Sequence, residues 1–140
     1  MIGENPNISD CERASNSYIM SIVAIAVGLP IPIINLVATF IFFLAQRKAS
    51  YFVRWHSMQA LLSQLSLLIL NSRAWYWTYD IVFAGEEAVS NEYIAYLIAV
   101  VLINLTEFFA TLYAASKVRK GIDVRFWFFS DLTDTFVKKL

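Results

Sequence analysis

The run YFVRWHSMQALLSQLSLLIL, residues 51–70, most constrains what this chain can fold into. A charged start among aromatic side chains leads directly into a mostly apolar run. Cationic side chains that extend toward water and amphipathic rings collect at the level of lipid headgroups. We therefore predict a membrane helix that begins at a water boundary, with an interfacial motif formed by Phe52, Arg54, Trp55 and His56.

The overall composition supports a membrane protein. Hydrophobic residues make up 59% of the sequence, above the roughly 45–50% apolar content of soluble domains, and a soluble fold of 140 residues could not bury so much apolar surface. Eleven basic and eleven acidic side chains cancel, so no net field favours nucleic acid. We expect membrane lipids as partners and no nucleic acid.

The first apolar stretch, residues 18–45, is interrupted by Gly28-Leu29-Pro30-Ile31-Pro32. Two prolines behind a glycine remove backbone donors and disfavour a continuous helix. One interpretation is a single kinked span, longer than the ~20 residues that a bilayer needs. The other is a helical hairpin with two short arms, which the turn-like Gly-x-Pro-x-Pro pattern favours slightly.

A polar stripe follows the helix that begins near residue 51. At ~100° per residue, its members fall within about a quarter-turn, and the opposite side is Leu, Ile and Ala; they are His56, Gln59, Ser63, Ser66 and Arg73. Arg73 lies ~28 Å beyond Arg54 at ~1.5 Å per residue, next to the aromatic residues 75–79. We therefore predict Arg73 as an anchor at the outer membrane boundary.

The last strong span, from Glu92 to about Ser116, carries a second stripe that includes Asn104, Glu107 and Thr111. Glu107 lies ~15 Å in from Lys117 at ~1.5 Å per residue, level with the serines of the first stripe. Hydrogen bonds between helices are an effective way to satisfy polar groups in lipid. We expect the two helices to pack antiparallel, with intramembrane polar contacts among Gln59, Ser63, Ser66, Asn104 and Glu107.

Charge placement predicts the orientation of the chain. The basic segments at 47–54 and 117–125 go to the cytoplasmic side, and the acidic loop at 80–92 goes outside. Residues 122–140 are too short and too charged to cross, and their helical spacing of apolar residues indicates an amphipathic interfacial helix. A hairpin places both termini inside with four segments, whereas a kinked span gives three.

The sequence offers little support for catalysis. It contains no nucleophile elbow, phosphate loop, HExxH, CxxC or paired-carboxylate arrangement, and it has one histidine and one cysteine. We therefore predict that the protein is not an enzyme, with no catalytic residues, no cofactor and no metal site.

Three ionisable residues each have two interpretations. Glu107, at mid-membrane, is either part of a proton or ion relay or a hydrogen-bonded contact between helices, which we favour in the absence of a second buried carboxylate. His56 is either a pH sensor or ligand, or an interfacial polar side chain, as we prefer. Arg73 is either a site for a substrate or, as we expect, an anchor.

The run QRKASYFVRWHSMQALL, preceded by the proline-broken apolar pair, resembles the "FVRFHAMQAL" segment of a bacterial group of small membrane proteins. That group is related to the four-helix subunit of the chloroplast inner-envelope translocon, and is called Tic-twenty-like here. The ending YAASKVRKGIDVRFWF is also similar, and the resemblance covers residues 17–129. It is carried by Phe52, Val53, Arg54, His56, Gln59 and Ala60, with Trp55 at a position where Phe is usual.

The resemblance implies four segments, both termini in the cytoplasm and an association with protein translocation. We therefore expect an all-α integral membrane protein of the bacterial inner membrane. A polar tail (1–17) precedes the helical domain (18–121), and the interfacial segment (122–140) follows. The four segments are expected at 18–28, 31–46, 52–79 and 92–116.

The leading functional prediction is a non-catalytic subunit of a larger inner-membrane complex, linked to protein translocation or membrane assembly. The alternative is a small self-associating transporter or channel that uses the polar stripe around Glu107. A third possibility is a lipid-surface anchor that works through residues 122–140. Pairing of the two stripes with each other favours the subunit, and a stripe turned toward a water-filled path favours transport.

Overall fold

A computed structural model describes residues 6–28, 32–85 and 88–138. All regular structure in these ranges is helical, which confirms the all-α prediction for the described part of the chain. A π-helical turn, Asp80–Ala84, continues the third helix. The five α-helices are α1 (Ile8–Gly28), α2 (Pro32–Ala45), α3 (Tyr51–Tyr79), α4 (Asn91–Val118) and α5 (Ser130–Lys138).

Among the described helices, one is both long and apolar enough to cross a bilayer, the helix α4. Helix α2 contributes a shorter apolar stretch, Leu36–Ala45. Helices α1 and α3 are long, but serine, glutamine and charged side chains are spread along them. The expected four membrane segments therefore correspond to four helices, of which α4 alone has the length and composition of a span.

Helix α1 starts at Ile8, within the segment expected as a polar tail. The carbonyl of Asn7 accepts hydrogen bonds from the amides of Asp10 and Cys11 (2.9 and 3.0 Å), which forms the first turn. This turn is held in place because Cys11 and Ala14 are buried against other helices. The small side chains on this face of α1 allow neighbouring helices to approach closely.

The break between α1 and α2 lies at the glycine-proline sequence. Residues 29–31, where the turn was expected, lie outside the described residues. Pro32 is the first residue of α2, a position at which the missing backbone N–H costs no helical hydrogen bond. Helices α1 and α2 also contact each other.

Two buried clusters bring the helices together at one end. The first joins the start of α1, the first half of α3 and the end of α4, through residues that include Ala14, Val53 and Val118. The second joins the end of α2, the start of α3 and α5, through Phe43, Trp55, Met58 and Val137. We call this the basic end, because it also carries Arg47, Lys48, Arg54, Lys117, Arg119 and Lys120.

Gly121 reverses the chain after α4. It adopts a φ of 77°, in the left-handed region that favours glycine. Its amide donates to the carbonyl of Val118 (2.9 Å), and the amide of Ile122 donates to that of Lys117 (3.1 Å). This turn directs residues 122–129, which we call the tail strap, back toward α3, and α5 then packs on α3.

Away from the basic end, α4 presents a broad apolar surface. Large hydrophobic side chains along it are exposed, among them Ile98, Val101, Leu105 and Phe109. The chemistry of this face matches the hydrocarbon of a bilayer.

Candidate functional site: two polar networks between the helices

The first network joins α1, α3 and the tail strap at the basic end. Tyr18 and His56 are fully buried there, and the Tyr18 hydroxyl lies 2.8 Å from the His56 Nδ1. The Gln59 Nε2 donates to the same hydroxyl at 2.7 Å. The hydroxyl can donate its own proton to His56 Nδ1 or accept a second hydrogen bond from it, so this contact forms with either tautomer of the imidazole.

Gln59 also clamps the tail strap. Its Nε2 donates to the carbonyl of Val124 (3.0 Å), and its Oε1 accepts from the amide of Phe126 (3.0 Å). These bonds distinguish the two ends of the amide and settle its orientation. A buried side chain on α3 thus supplies the partners that this irregular backbone would otherwise lack.

The His56 ring reaches the tail strap on its other side. Its Nε2 lies 3.3 Å from a carboxylate oxygen of Asp123, within ion-pair range but without the alignment of a hydrogen bond. Arg125 Nε donates to the other oxygen at 3.0 Å. The contact with His56 and the hydrogen bond from Arg125 hold the pKa of the Asp123 carboxyl below its usual range, against partial burial, which raises it.

Arg125 extends the network to α5 and Trp55. Its guanidinium donates to Asp134 at 3.2 Å and lies over the Trp55 ring, 4.7 Å from the ring centre. The indole N–H of Trp55 donates to the other oxygen of Asp134 at 2.7 Å. The two neighbouring carboxylates, Asp123 and Asp134, raise the pKa of Arg125. The cation, the ring and the carboxylates fix the tail strap and α5 on the start of α3.

The second network lies between α3 and α4. Ser63 donates to a carboxylate oxygen of Glu107, and Thr111 contacts the same oxygen at 3.4 Å. Asn71 and Asn104 exchange two amide hydrogen bonds of 3.1 and 2.8 Å. As the partners on α3 advance along the chain those on α4 recede, so the two helices run antiparallel.

The outer end of this network is aromatic. The Tyr96 hydroxyl donates to the carbonyl of Leu70 (2.9 Å), and the Thr78 hydroxyl lies 2.8 Å from that of Tyr93. The guanidinium of Arg73 is exposed and lies over the rings of Trp77 and Tyr96, at 5.6 and 5.7 Å from their centres. Arg73 therefore has cation–π partners on both α3 and α4.

The predicted polar stripe of α3 divides between the two networks. Ser63 meets Glu107, but Gln59 bonds Tyr18 and the tail strap. The Ser66 hydroxyl donates to the carbonyl of Leu62, within its own helix. Counting along a helix places residues on a face, but it does not show which partner covers each turn of that face.

Three of the four residues of the predicted interfacial motif are buried in contact with other parts of the protein. Trp55 and His56 have no exposed surface, and Phe52 is buried beside the His56 ring. Arg54 is partly exposed, and its buried Nε has no hydrogen-bond partner among the described residues. The charges and rings that suggested a lipid boundary are covered because the tail strap and α1 fold over them.

Sequence reasoning missed the partners Tyr18, Asp123, Arg125 and Asp134. Tyr18 stood at the edge of an apolar stretch, and the other three stood in a segment interpreted as a separate interfacial helix. A usable signal was the alternation of charge and aromatic residues in IDVRFWFF. Asp123 and Arg125, two residues apart, can form a charge-assisted hydrogen bond.

The chemistry of the two networks is structural. Within residues 6–28, 32–85 and 88–138, no group of three or more His, Cys, Asp or Glu side chains is arranged to hold a metal ion. The hydrogen bonds of the first network join α1, α3, the tail strap and α5, and those of the second join α3 to α4.

Comparison with known proteins identifies the family. Residues 14–132 match the magnetosome magnetite crystal formation protein family, MamF/MmsF. No curated protein and no solved structure is significantly similar to the chain.

This match corrects the Tic-twenty-like resemblance and the link to protein translocation, both of which were wrong. The resemblance depended on about a dozen residues around Phe52–Leu62. A basic and aromatic start followed by an apolar helix is common at membrane boundaries, so such a short motif is not specific to one family.

The family also bears on the other predictions. Its members are small membrane proteins involved in crystal formation and are not known enzymes, which confirms the prediction of a non-enzymatic protein. The family match also supports the prediction that the protein is associated with a membrane. Because the match runs from the first half of α1 to the start of α5, the chain belongs to the magnetosome magnetite crystal formation (MamF/MmsF) family.

Proposed function

We propose that the protein is a non-catalytic component of the magnetosome membrane that takes part in magnetite crystal formation, as a subunit of a larger membrane assembly. The observation that carries this proposal is the family match over residues 14–132. The broad apolar face of α4 suits a protein that resides in a bilayer.

The proposed topology has four membrane segments, with α1 and α2 as a hairpin and both termini on the cytoplasmic side. The start of α1 and the end of α2 both contact the first half of α3, as expected for two antiparallel arms. The lysines and arginines of the basic end support its cytoplasmic placement. Arg73 and the aromatic rings around it then form the anchor at the opposite boundary.

The pairing of polar residues supports an assembly role over transport. Ser63 with Glu107, and Asn71 with Asn104, direct the stripes of α3 and α4 toward each other. A transporter or channel would direct such groups toward a path for its substrate. We therefore propose that Ser63, Asn104 and Glu107 are intramembrane contacts that hold α3 against α4.

Deletion of the gene in a magnetite-forming bacterium tests the function. Crystals should change in size or number, as measured by electron microscopy, and the wild-type gene at matched protein level should restore them. A fluorescent fusion should lie along the magnetosome chain. Unchanged crystals in the deletion strain, or a fusion distributed over the whole cell membrane, would contradict the proposal.

Single cysteines test the topology. The natural Cys11 is first replaced in a Cys11→Ser background, in which the serine hydroxyl can keep the contact with the Pro6 carbonyl. Lys48→Cys at the basic end should react with an impermeant maleimide in isolated magnetosomes. Val89→Cys, in the exposed connection before α4, should react after the membrane is dissolved. Equal labelling of both in intact magnetosomes would refute the topology.

A further inference from the structure

The outer surface of the tail strap and α5 carries a patch of exposed apolar side chains. Trp127 is 87% exposed and Phe128 is 62% exposed. Leu132 and Phe136 follow on α5, each about half exposed. We call these four residues the aromatic patch.

The inner contacts of the same segment force this patch outward. Phe126 packs toward Tyr18 and its amide is bound by Gln59, while Thr133 and Val137 of α5 are buried. Hydrogen bonds from the amides of Phe129 and Ser130 to the carbonyl of Phe126 continue the helical path into α5. Because this side of the segment packs against the protein, the side chains of the aromatic patch point away from it.

The spacing of the patch matches a helix at a membrane surface. Along α5, Leu132 and Phe136 lie about 40° apart at ~100° per residue, and Trp127 and Phe128 stand exposed in the turn that precedes this helix. The buried Thr133 and Val137 occupy the sector beside Leu132 and Phe136. The exposed polar side chains of Asp131, Thr135 and Lys138 lie on the remaining side. One face of the segment thus packs against the protein, a second face is polar and exposed to water, and a third face is apolar and exposed.

The surroundings identify what covers the apolar face. The patch begins a few residues after the end of α4, the helix with the composition of a membrane span. The exposed cations of the basic end, Arg47, Lys48, Arg119 and Lys120, stand on the same end of the bundle. Cations and an amphipathic aromatic surface at the same end of a membrane helix complement anionic headgroups above an apolar layer.

We infer that the aromatic patch inserts into the interface of an anionic lipid leaflet, at the membrane that α4 crosses. The Trp127 side chain enters the interface, and the cations of the basic end bind the lipid phosphates. The patch is distinct from the buried motif at Phe52–His56, which the tail strap covers. The inference goes beyond the proposed role in crystal formation, because it concerns how the protein sits on its membrane.

Fluorescence quenching by brominated lipid tests this inference. The full-length protein and a Trp127→Phe variant are placed in nanodiscs of phosphatidylcholine with or without phosphatidylglycerol, and the difference between them isolates Trp127 from the other three tryptophans. Bromine near the headgroup end of the acyl chain should quench the difference signal at least twofold more than deep bromine. Phosphatidylglycerol should strengthen the effect.

A matched variant separates insertion from folding. Trp75→Phe, at the opposite end of α3, should leave the Trp127 signal and its quenching unchanged. A Trp127 signal that brominated lipid does not quench and that aqueous acrylamide quenches freely would overturn the inference. Such a result would mean that the patch is open to water and suited to a protein partner instead.

Discussion

The two polar networks differ in connectivity and charge. In the basic-end network Tyr18, His56 and Gln59 are buried, whereas the two carboxylates and the guanidinium are partly exposed, and its hydrogen bonds link residues up to 79 positions apart. The network between α3 and α4 is partly buried and consists mainly of separate neutral pairs. Linked hydrogen bonds in a buried site depend on one another, whereas isolated pairs between membrane helices contribute little each. We therefore expect the loss of a contact in the first network to destabilise the fold more than the loss of a contact in the second.

The largest expected effect comes from Gln59→Leu. The change leaves the Tyr18 hydroxyl, the Val124 carbonyl and the Phe126 amide without their partner, so we expect a loss of about 3 kcal/mol in the free energy of unfolding. Denaturation of the purified protein in mild detergent measures it.

Gln64→Leu is the matched control for Gln59→Leu. Gln64 lies on the same helix and is 3% exposed, but its Nε2 has no hydrogen-bond partner in the described part of the chain. The substitution removes an unsatisfied group, so stability should stay the same or rise. Equal losses in the two variants would show that the clamp on the tail strap contributes nothing.

Trp55→Phe should have the next largest effect. It removes the indole donor to Asp134 and weakens the stacking of Arg125, at a cost of about 1–2 kcal/mol. Local opening of the tail strap should then rise about tenfold, measured as faster trypsin cleavage after Arg125. Trp75→Phe, at the opposite end of α3, is the control and should be cleaved at the wild-type rate. A wild-type cleavage rate in Trp55→Phe would mean that other contacts hold α5.

Acidification should weaken the basic-end network before the network between α3 and α4. The lowered pKa of Asp123 means that its ionised form stabilises the fold fully above about pH 4, near the ordinary aspartate value. That contribution disappears as pH falls through the lowered pKa. It is below about 1 kcal/mol, because the carboxylate is partly exposed.

Asp123→Asn should therefore flatten the fall of the melting temperature as the pH is lowered below about pH 4. Asp131→Asn, an exposed carboxylate on α5 outside the network, should retain the wild-type slope. A wild-type slope in Asp123→Asn would mean that His56 and Arg125 do not stabilise this carboxylate.

The smallest effect is expected for Glu107→Gln. The amide oxygen still accepts from Ser63, so stability should change by less than about 0.6 kcal/mol, the usual scale of a hydrogen bond between membrane helices. Crystal size in a complemented deletion strain should be normal. Loss of normal crystals with an intact fold would instead favour the transport interpretation, and Glu107→Leu serves as a control that also removes the acceptor.

The sequence predicted the helical class and the antiparallel placement of Ser63 against Glu107, because helical periodicity and depth are local quantities. It did not predict the destination of Gln59, whose partners are backbone groups of an irregular segment. Nor did it predict the burial of Trp55 and His56. Their covering depends on a chain reversal at Gly121 and on a salt-bridge cluster between distant residues, which periodicity does not encode.

Hydrogen exchange at the Phe126 amide tests whether Gln59 holds the tail strap on the helices. This amide lies in an irregular segment, and its described acceptor is the Gln59 side chain. In full-length protein in lipid nanodiscs, the account predicts a protected amide in the wild type and in Gln64→Leu, and exchange faster by at least tenfold in Gln59→Leu. An unprotected Phe126 amide in the wild type would contradict the claim that Gln59 holds the tail strap on the helices.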